Sequence, residues 1–369
     1  MAKIVRVEGL MLDLVPKVKR TDAIQSFKSQ ETPIVKITDA DGALGLGYSY
    51  TIGDGGPSVM KLIERTLAPK LIGREASEIE MLWRDLMFST HATMVGPITA
   101  LALAAIDTAL WDLQAKRLGL PLHILAGGAQ RRIRMYTTEG GWLHIEPAAL
   151  VEDALAAKAK GFGGSKIKIG RPHVAEDIAR LSAVREAVGP AFEIMTDANQ
   201  AFTVDEAIRR ARHYESADIA WFEEPLPADD LDGHIRLAAS TSVPVAVGES
   251  LYSLSHFREY MQKRACSIVQ VDVARIGGIT PWFKVAHVAE SFNIPVCPHF
   301  LMELHVALCC AVPNARWLEY IPQLDAVTEA PMRIEAGYAV PSDVPGLGIA
   351  WNHAELKRLT VAGSAFTVA

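Results

Sequence analysis

Cysteine is scarce: the 369 residues include only four, Cys266, Cys297, Cys309 and Cys310, and their spacing matches no metal or redox motif. They read as core thiols, so neither a disulfide framework nor a thiolate metal site is expected. Long apolar runs are also missing. The longest candidate, ITALALAAIDTALWDL, is interrupted by Asp107 and reads as a buried helix, so no membrane partner is expected. The opening MAKIVRVEGLML alternates like an edge strand and lacks the apolar core and cleavage site of a secretory leader. A soluble, cytoplasmic protein is the expectation. Positive charge is short as well: 37 Lys and Arg face 43 Asp and Glu, a net charge of −6, which leaves no electrostatic footprint for nucleic acid. Low-complexity tracts and linkers are absent. What is plentiful is apolar: hydrophobic residues make up 50% of the chain, enough for a sizeable core. The length suits two domains, or one large barrel with an attached part.

Texture divides the chain. Residues 1–125 begin with strand-like IVRVEGLML and TPIVKITDADGALGLGYSY, turned at Asp41-Gly42, and continue with helical GPSVMKLIERTLAPKLIG, ASEIEMLWRDLMF and PITALALAAIDTALWDLQAKRLG. Strands followed by helices describe a small α+β domain. Residues 126–325 alternate instead. Strand-like RIRMYTT, GSKIKIG, FEIMTDAN, IAWFEEP, VPVAVGE, SIVQVDV, IPVCPH and RWLEY are separated by helical segments. Eight parallel strands over about two hundred residues is the count of a TIM-type barrel, an α/β architecture. An open doubly wound sheet is the alternative; polar residues at nearly every strand end favour a barrel mouth. Residues 326–369 are expected to pack back on the first domain.

Three of those strand ends carry acids at a constant interval of 26 residues: Asp197 in TDANQ, Glu223 in FEEP and Glu249 in GES. Strand, helix and two loops fit that period, so the three carboxylates converge at one mouth. Three negative charges gathered together require a cation, and oxygen ligands select a hard divalent one, with Mg2+ the expected ion. Lys166 and Lys168 lie two apart in the second strand and so share a face, the barrel interior. One is expected to act as a base, its pKa drawn down from ~10.4 toward ~7–8 by the like-charged neighbour and the metal. Asp272 and His299 end strands six and seven, a pair in which the acid fixes the tautomer of the imidazole. Glu319 ends strand eight and is expected to serve as a hydrogen-bond donor or electrophile. Asn199 shares the face of Asp197 and is expected to reach substrate, whereas Glu224 alternates away from Glu223 into a supporting place. A dication, a lysine on one face and a His-Asp pair on the other suit abstraction of the proton beside a carboxylate, with the cation stabilising the enediolate.

These segments, with AAIDTALWDLQAKRLGLPL, RIGGIT and PHF, resemble the enolase superfamily, mandelate racemase subgroup, over essentially the whole chain. The resemblance implies a (β/α)7β modified TIM barrel under an α+β capping domain. It assigns Asp197, Glu223 and Glu249 as Mg2+ ligands, Lys168 as base with Lys166 as its modulator, Asp272–His299 as a catalytic dyad and Glu319 as a substrate partner. TTEGGWLH, RIGGITPWFKVA and PHFLMELHV are most similar to the L-talarate/galactarate dehydratases, which remove water from sugar diacids. That implies a hydro-lyase taking a small-molecule acid sugar to a 2-keto-3-deoxy acid, as an expected homo-oligomer. The alternative is a racemase or epimerase of a 2-hydroxy acid using the same residues. The capping segment PKVKRTDAIQSFKSQET carries Lys17, Lys19, Arg20 and Lys28, a basic lid suited to a second carboxylate. Lys19 and Thr138 therefore join Asn199 as expected substrate contacts. YIPQLDAV, after strand eight, matches no pattern tied to an activity.

Overall fold

The computed structural model describes residues 2–369. Strand Ile4–Leu14 pairs antiparallel with Gln30–Asp39, which turns back into Leu44–Tyr48. The turn closes because Asp39 Oδ1 accepts the amides of Asp41 at 3.0 Å and Ala43 at 2.9 Å, while Gly42 takes φ +82°. Helices Pro97–Leu118 and Gly56–Leu62 cover this sheet, and Ile79–Ser89 packs against the first of them. The outward amides at Leu46 and Tyr48 of the edge strand Leu44–Tyr48 are taken by helix Pro97–Leu118. Asp112 takes the Leu46 amide at 2.8 Å and Thr108 takes that of Tyr48 at 3.1 Å. Gly45 and Gly47 permit so close an approach, since a Cβ at either would collide with the helix backbone at Ala109. The expected helix over GPSVMKLIERTLAPKLIG is instead three short pieces: an α-helix to Leu62, a π turn to Leu67 and a 3₁₀ turn to Lys70. Pro69, which has no amide to donate, sits in the last of them.

Helix Pro97–Leu118 is, among the described residues, the one long and apolar enough to cross a membrane. The protein itself buries 83% of its most apolar window, so it is the core helix that Asp107 implied.

The remainder is a barrel. Parallel strands Ile133–Thr137, Gly164–Lys168, Glu193–Asp197, Trp221–Glu223, Val245–Val247 and Ile268–Val269 pair in sequence order, and Leu318–Tyr320 closes the ring against the first. The seventh position is only a pair of bridges, Val269 to Val296 and Val296 to Ala315. Pro295 and Pro298 flank that valine and cannot donate to a ladder, which holds the strand to one residue. A floor of Tyr136, Met195, Trp221, Ile268, Cys297 and Trp317 fills the barrel interior, so the centre is a packed core and the chemistry is left to the rim. All four cysteines are free and buried.

The C-terminal stretch meets both parts. Its hairpin, Ile334–Glu335 with Tyr338–Ala339, extends the sheet from barrel strand Ile133–Thr137, while Phe366–Val368 pairs with the first strand of the cap.

Candidate active site

Parallel register sets the first three site positions side by side. Lys168 lies opposite Asp197, and Asp197 opposite Glu223, at the ends of adjacent strands. Glu249 follows two residues after strand Val245–Val247. The three acids are buried, and one oxygen from each falls within 4.8 Å of the others. Glu249 Oε2 has no hydrogen-bond partner. Burial, then the neighbouring charge of Asp197, pushes Glu223 up to about 7, the signature of carboxylates crowded together. A carboxylate oxygen with no hydrogen-bond donor of its own, within a three-acid cluster of hard donors, fits a hard divalent cation.

The lysines flank one end of this cluster. Lys168 Nζ donates to Asp197 and, at 3.0 Å, to Asn199 Oδ1. Lys166 Nζ lies 2.9 Å from both Glu223 and Glu319. The expectation of a depressed lysine pKa is not met by the side chains themselves. Burial favours the neutral amine, but the surrounding carboxylates outweigh it: Glu223 and Glu319 raise Lys166, and Asp197 raises Lys168. Lys166 alone faces three acids, and these outweigh its like-charged neighbour.

At the other end His299 Nε2 lies 3.3 Å from Glu249 Oε2, and its Nδ1 lies 2.8 Å from Asp272 Oδ2. Burial pulls the imidazole down, but Glu249 and Asp272 lift it above the usual value. Burial would raise Asp272, yet the hydrogen bond from His299 takes it to about 2. Asp272 is thus a fixed anion beside the ring.

Glu319 departs from its expected role as a donor. It accepts from Thr138 Oγ1 at 2.5 Å, from Lys166 at 2.9 Å and from the Phe300 amide at 2.9 Å. Burial opposes the charge, but Lys166 and His299 hold the carboxyl well below the usual range. Thr138 lines the cavity beside it. Glu224 also lines the cavity but is absent from the three-acid cluster, and accepts from Gln200 at 3.0 Å, the supporting place foreseen for it.

The lid differs most from expectation. Lys19 is exposed and does not line the cavity. Lys17 pairs with Asp325 at 2.7 Å, and Arg20 with Glu139 at 2.5 Å and the Pro322 carbonyl at 3.0 Å. Lys17 and Arg20 therefore fasten the lid to the barrel rather than facing its contents. YIPQLDAV supplies two of those fastenings, Pro322 and Asp325, and contributes Ile321 to the cavity wall. The cap's own contribution is Asp22, Ile24, Gln25, Phe27 and Ile52. Asp22 Oδ1 accepts the amides of Ile24 and Gln25, both at 2.8 Å, whereas its buried Oδ2 has no partner.

Sequence reasoning missed Asp22, Tyr50 and Arg275. Tyr50 belongs to the cap and donates to Asp272 at 2.7 Å; Arg275 Nε donates to Tyr50, and its Nη1 contacts Glu249 at 3.3 Å. Asp22 lay in the lid segment read for its basic residues, Tyr50 at the end of a strand-like segment and Arg275 in RIGGIT, where nothing marked these side chains as facing the site.

Residues 12–127 match the mandelate racemase/muconate lactonizing enzyme N-terminal domain, and residues 149–355 match the enolase C-terminal domain-like family. The L-talarate/galactarate dehydratase of Salmonella typhimurium is 36% identical over 315 residues, covering 85% of this chain and 79% of that one. The 3,6-anhydro-alpha-L-galactonate cycloisomerase of Streptomyces coelicolor is 37% identical, over 89% of this chain and 91% of its own. The crystal structure of the Salmonella dehydratase with Mg and L-lyxarohydroxamate superposes with a TM-score of 0.94 at 33% identity, covering 100% of this chain and 95% of that one. With both domains matched and the acids, lysines and His-Asp pair gathered at one barrel mouth, the chain belongs to the mandelate racemase/muconate lactonizing enzyme family of the enolase superfamily.

Proposed function

We propose that this protein is a Mg2+-dependent dehydratase of an acid sugar, of the galactarate/L-talarate kind. The observation that carries the reading is the arrangement along the rim, with Lys168 at the Asp197 end of the carboxylate cluster and His299 at the Glu249 end. Asp197, Glu223 and Glu249 would hold the ion, which supplies positive charge to a substrate carboxylate and so stabilises the enediolate formed when the α-proton leaves. With the ion instead of the lysine offsetting the charge of Asp197, Lys168 would stand as the neutral amine and take that proton from one face. His299, held by Asp272, stands at the other face and gives a proton to the departing β-hydroxyl, so that water leaves and the enol ketonises to a 2-keto-3-deoxy acid. Lys166 and Glu319 neutralise one another beside the reacting centre, and Thr138 and Asn199 offer polar contacts to the substrate.

The flanking arrangement favours one other reading. Two proton-handling groups on opposite sides also suit a racemase or epimerase of a 2-hydroxy acid. The test is a panel of diacid and monoacid sugars incubated with enzyme and Mg2+, with semicarbazide to trap a keto product. A trapped 2-keto-3-deoxy acid supports the dehydratase. Inversion at the α-carbon with no keto product replaces it with the racemase.

A further inference from the structure

We infer that Tyr50 is a positioning residue for the second base: the capping domain orients His299 by holding Asp272 with the Tyr50 hydroxyl. The inference rests on the two-base reading above and adds a residue to it.

Asp272 is gripped at both oxygens. Its Oδ1 accepts the amides of Ala274 at 2.7 Å and Arg275 at 3.1 Å. Its Oδ2 accepts the Tyr50 hydroxyl at 2.7 Å and stands 2.8 Å from His299 Nδ1. Every partner but Tyr50 belongs to the barrel. The tyrosine lies 222 residues away in sequence, two residues beyond the cap's edge strand, and is only 1% exposed. Its own place is fixed. Arg275 Nε donates to its oxygen at 3.0 Å, and its ring lies 4.6 Å from that of Phe300, which stacks on His299 at 5.2 Å and 14°.

The consequence is geometric. A carboxylate that orients an imidazole works only if its own plane is fixed, and here the oxygen facing the ring has one other anchor. Without the hydroxyl, Arg275 Nε loses its acceptor and becomes a competing donor for Asp272 Oδ2, since its guanidinium already stands over the Tyr50 ring. His299 would then share its orienter with a cation and lose its set direction. Lys168 depends on none of these contacts, its partners being Asp197 and Asn199. Undocking the cap would therefore disable one base and spare the other.

Tyr50→Phe tests this, because it keeps the ring against Phe300 and removes one oxygen. The first readout is the His299 ring N–H resonance in 15N-histidine-labelled protein without added metal. The variant should lose or shift the downfield signal of the Nδ1 proton bonded to Asp272, and an unchanged signal overturns the inference. The second is exchange of the α-proton of galactarate and L-talarate, diacids epimeric at one α-carbon, in D2O with Mg2+ and enzyme. Adding Tyr50→Phe to Lys168→Ala, which leaves the His299 face, should slow exchange about tenfold or more, the cost of losing a hydrogen bond to a charged group. Adding it to His299→Asn, which leaves the Lys168 face, should change exchange less than about twofold. Equal losses in both backgrounds mark Tyr50 as merely structural. If wild-type enzyme exchanges neither probe, the proposed function is in question, and the resonance still decides the role of Tyr50.

Discussion

Asp107, in the middle of the capping helix, sits over the first turn of the barrel helix Ile279–Ser291 and accepts the Thr280 amide at 2.9 Å and the Thr280 hydroxyl at 2.7 Å. Gly278 is the residue at the cap position of that helix and has no side chain to offer; a Cβ there would collide with Asp107. One domain thus caps a helix of the other. The Gly277-Gly278 pair is a tight turn whose own amides donate to the Ala274 and Val273 carbonyls, at 3.2 and 2.8 Å, and it delivers the Thr280 amide to an acid of the other domain. Asp107→Ala should destabilise the protein by about 1–3 kcal/mol, the cost of a lost cap and of buried donors left unpaired. Thr280→Val removes only the hydroxyl and should cost less. Thermal midpoints of the two variants check this, and equal midpoints for Asp107→Ala and wild type reject it.

The same carboxyl predicts a pH dependence. Burial pushes Asp107 up to about 7 from an ordinary 3.8, with the Thr280 contacts opposing. Its folded pKa therefore exceeds its unfolded one. Between pH ~4 and ~7 the native state keeps a proton that the unfolded chain has lost, so this contribution falls as pH rises, by at most ~1.4 kcal/mol per unit. His305 acts the other way. Burial takes it down to about 4, and it stands neutral with the Val273 amide donating to Nε2 at 3.1 Å and Nδ1 3.2 Å from the Phe300 carbonyl. Its stabilisation is full above ~6.5 and is lost as pH falls toward ~4. The stability of wild type relative to Asp107→Asn should fall from pH 4 to 7, and relative to His305→Gln should rise. A flat difference in either series rejects the corresponding assignment.

The parts of this architecture legible in the sequence were those carried by local period. The interval from Asp197 through Glu223 to Glu249 reports one βα unit per step, and strand alternation puts Lys166 and Lys168 on one face whatever the distant chain does. What stayed hidden depended on contacts between distant segments. No periodicity links Tyr50 to Asp272, and the part played by the lid cations Lys17 and Arg20 was fixed by acids elsewhere, Asp325 and Glu139. Strand seven was readable as apolar residues, but its reduction to Val296 follows from what two prolines cannot donate.

From the lid geometry, substrate affinity should depend on Asp22 and not on Lys19. Asp22 lines the cavity with one unpartnered oxygen and holds two lid amides, whereas Lys19 is exposed and outside the cavity lining. Asp22→Ala should raise KM about tenfold or more, the loss of one charge-assisted hydrogen bond plus a loosened loop, and Lys19→Ala should leave KM within about twofold. Steady-state kinetics on the substrate found by the panel checks both. A larger effect at Lys19 would restore the basic-lid expectation.

The two proton-handling groups supply the sharpest test of the site. Lys168→Ala and His299→Asn should each lower kcat by about 10²–10⁴, the usual share of a positioned acid or base. Neither should unfold the chain. Lys168 and His299 lie at the barrel mouth, beside a core whose packing belongs to Tyr136, Trp221 and Trp317 below them. The two losses are distinguishable from a folding defect by unchanged far-ultraviolet dichroism and by retained Mg2+ binding in a calorimetric titration, since Asp197, Glu223 and Glu249 remain. Glu249→Gln gives the complementary pattern: it removes charge from the three-acid cluster, so it should weaken Mg2+ binding while Asp272 keeps its hold on His299. Full turnover in both Lys168→Ala and His299→Asn would separate the reaction from these residues, and undiminished turnover in the presence of a chelator would separate it from the carboxylate cluster.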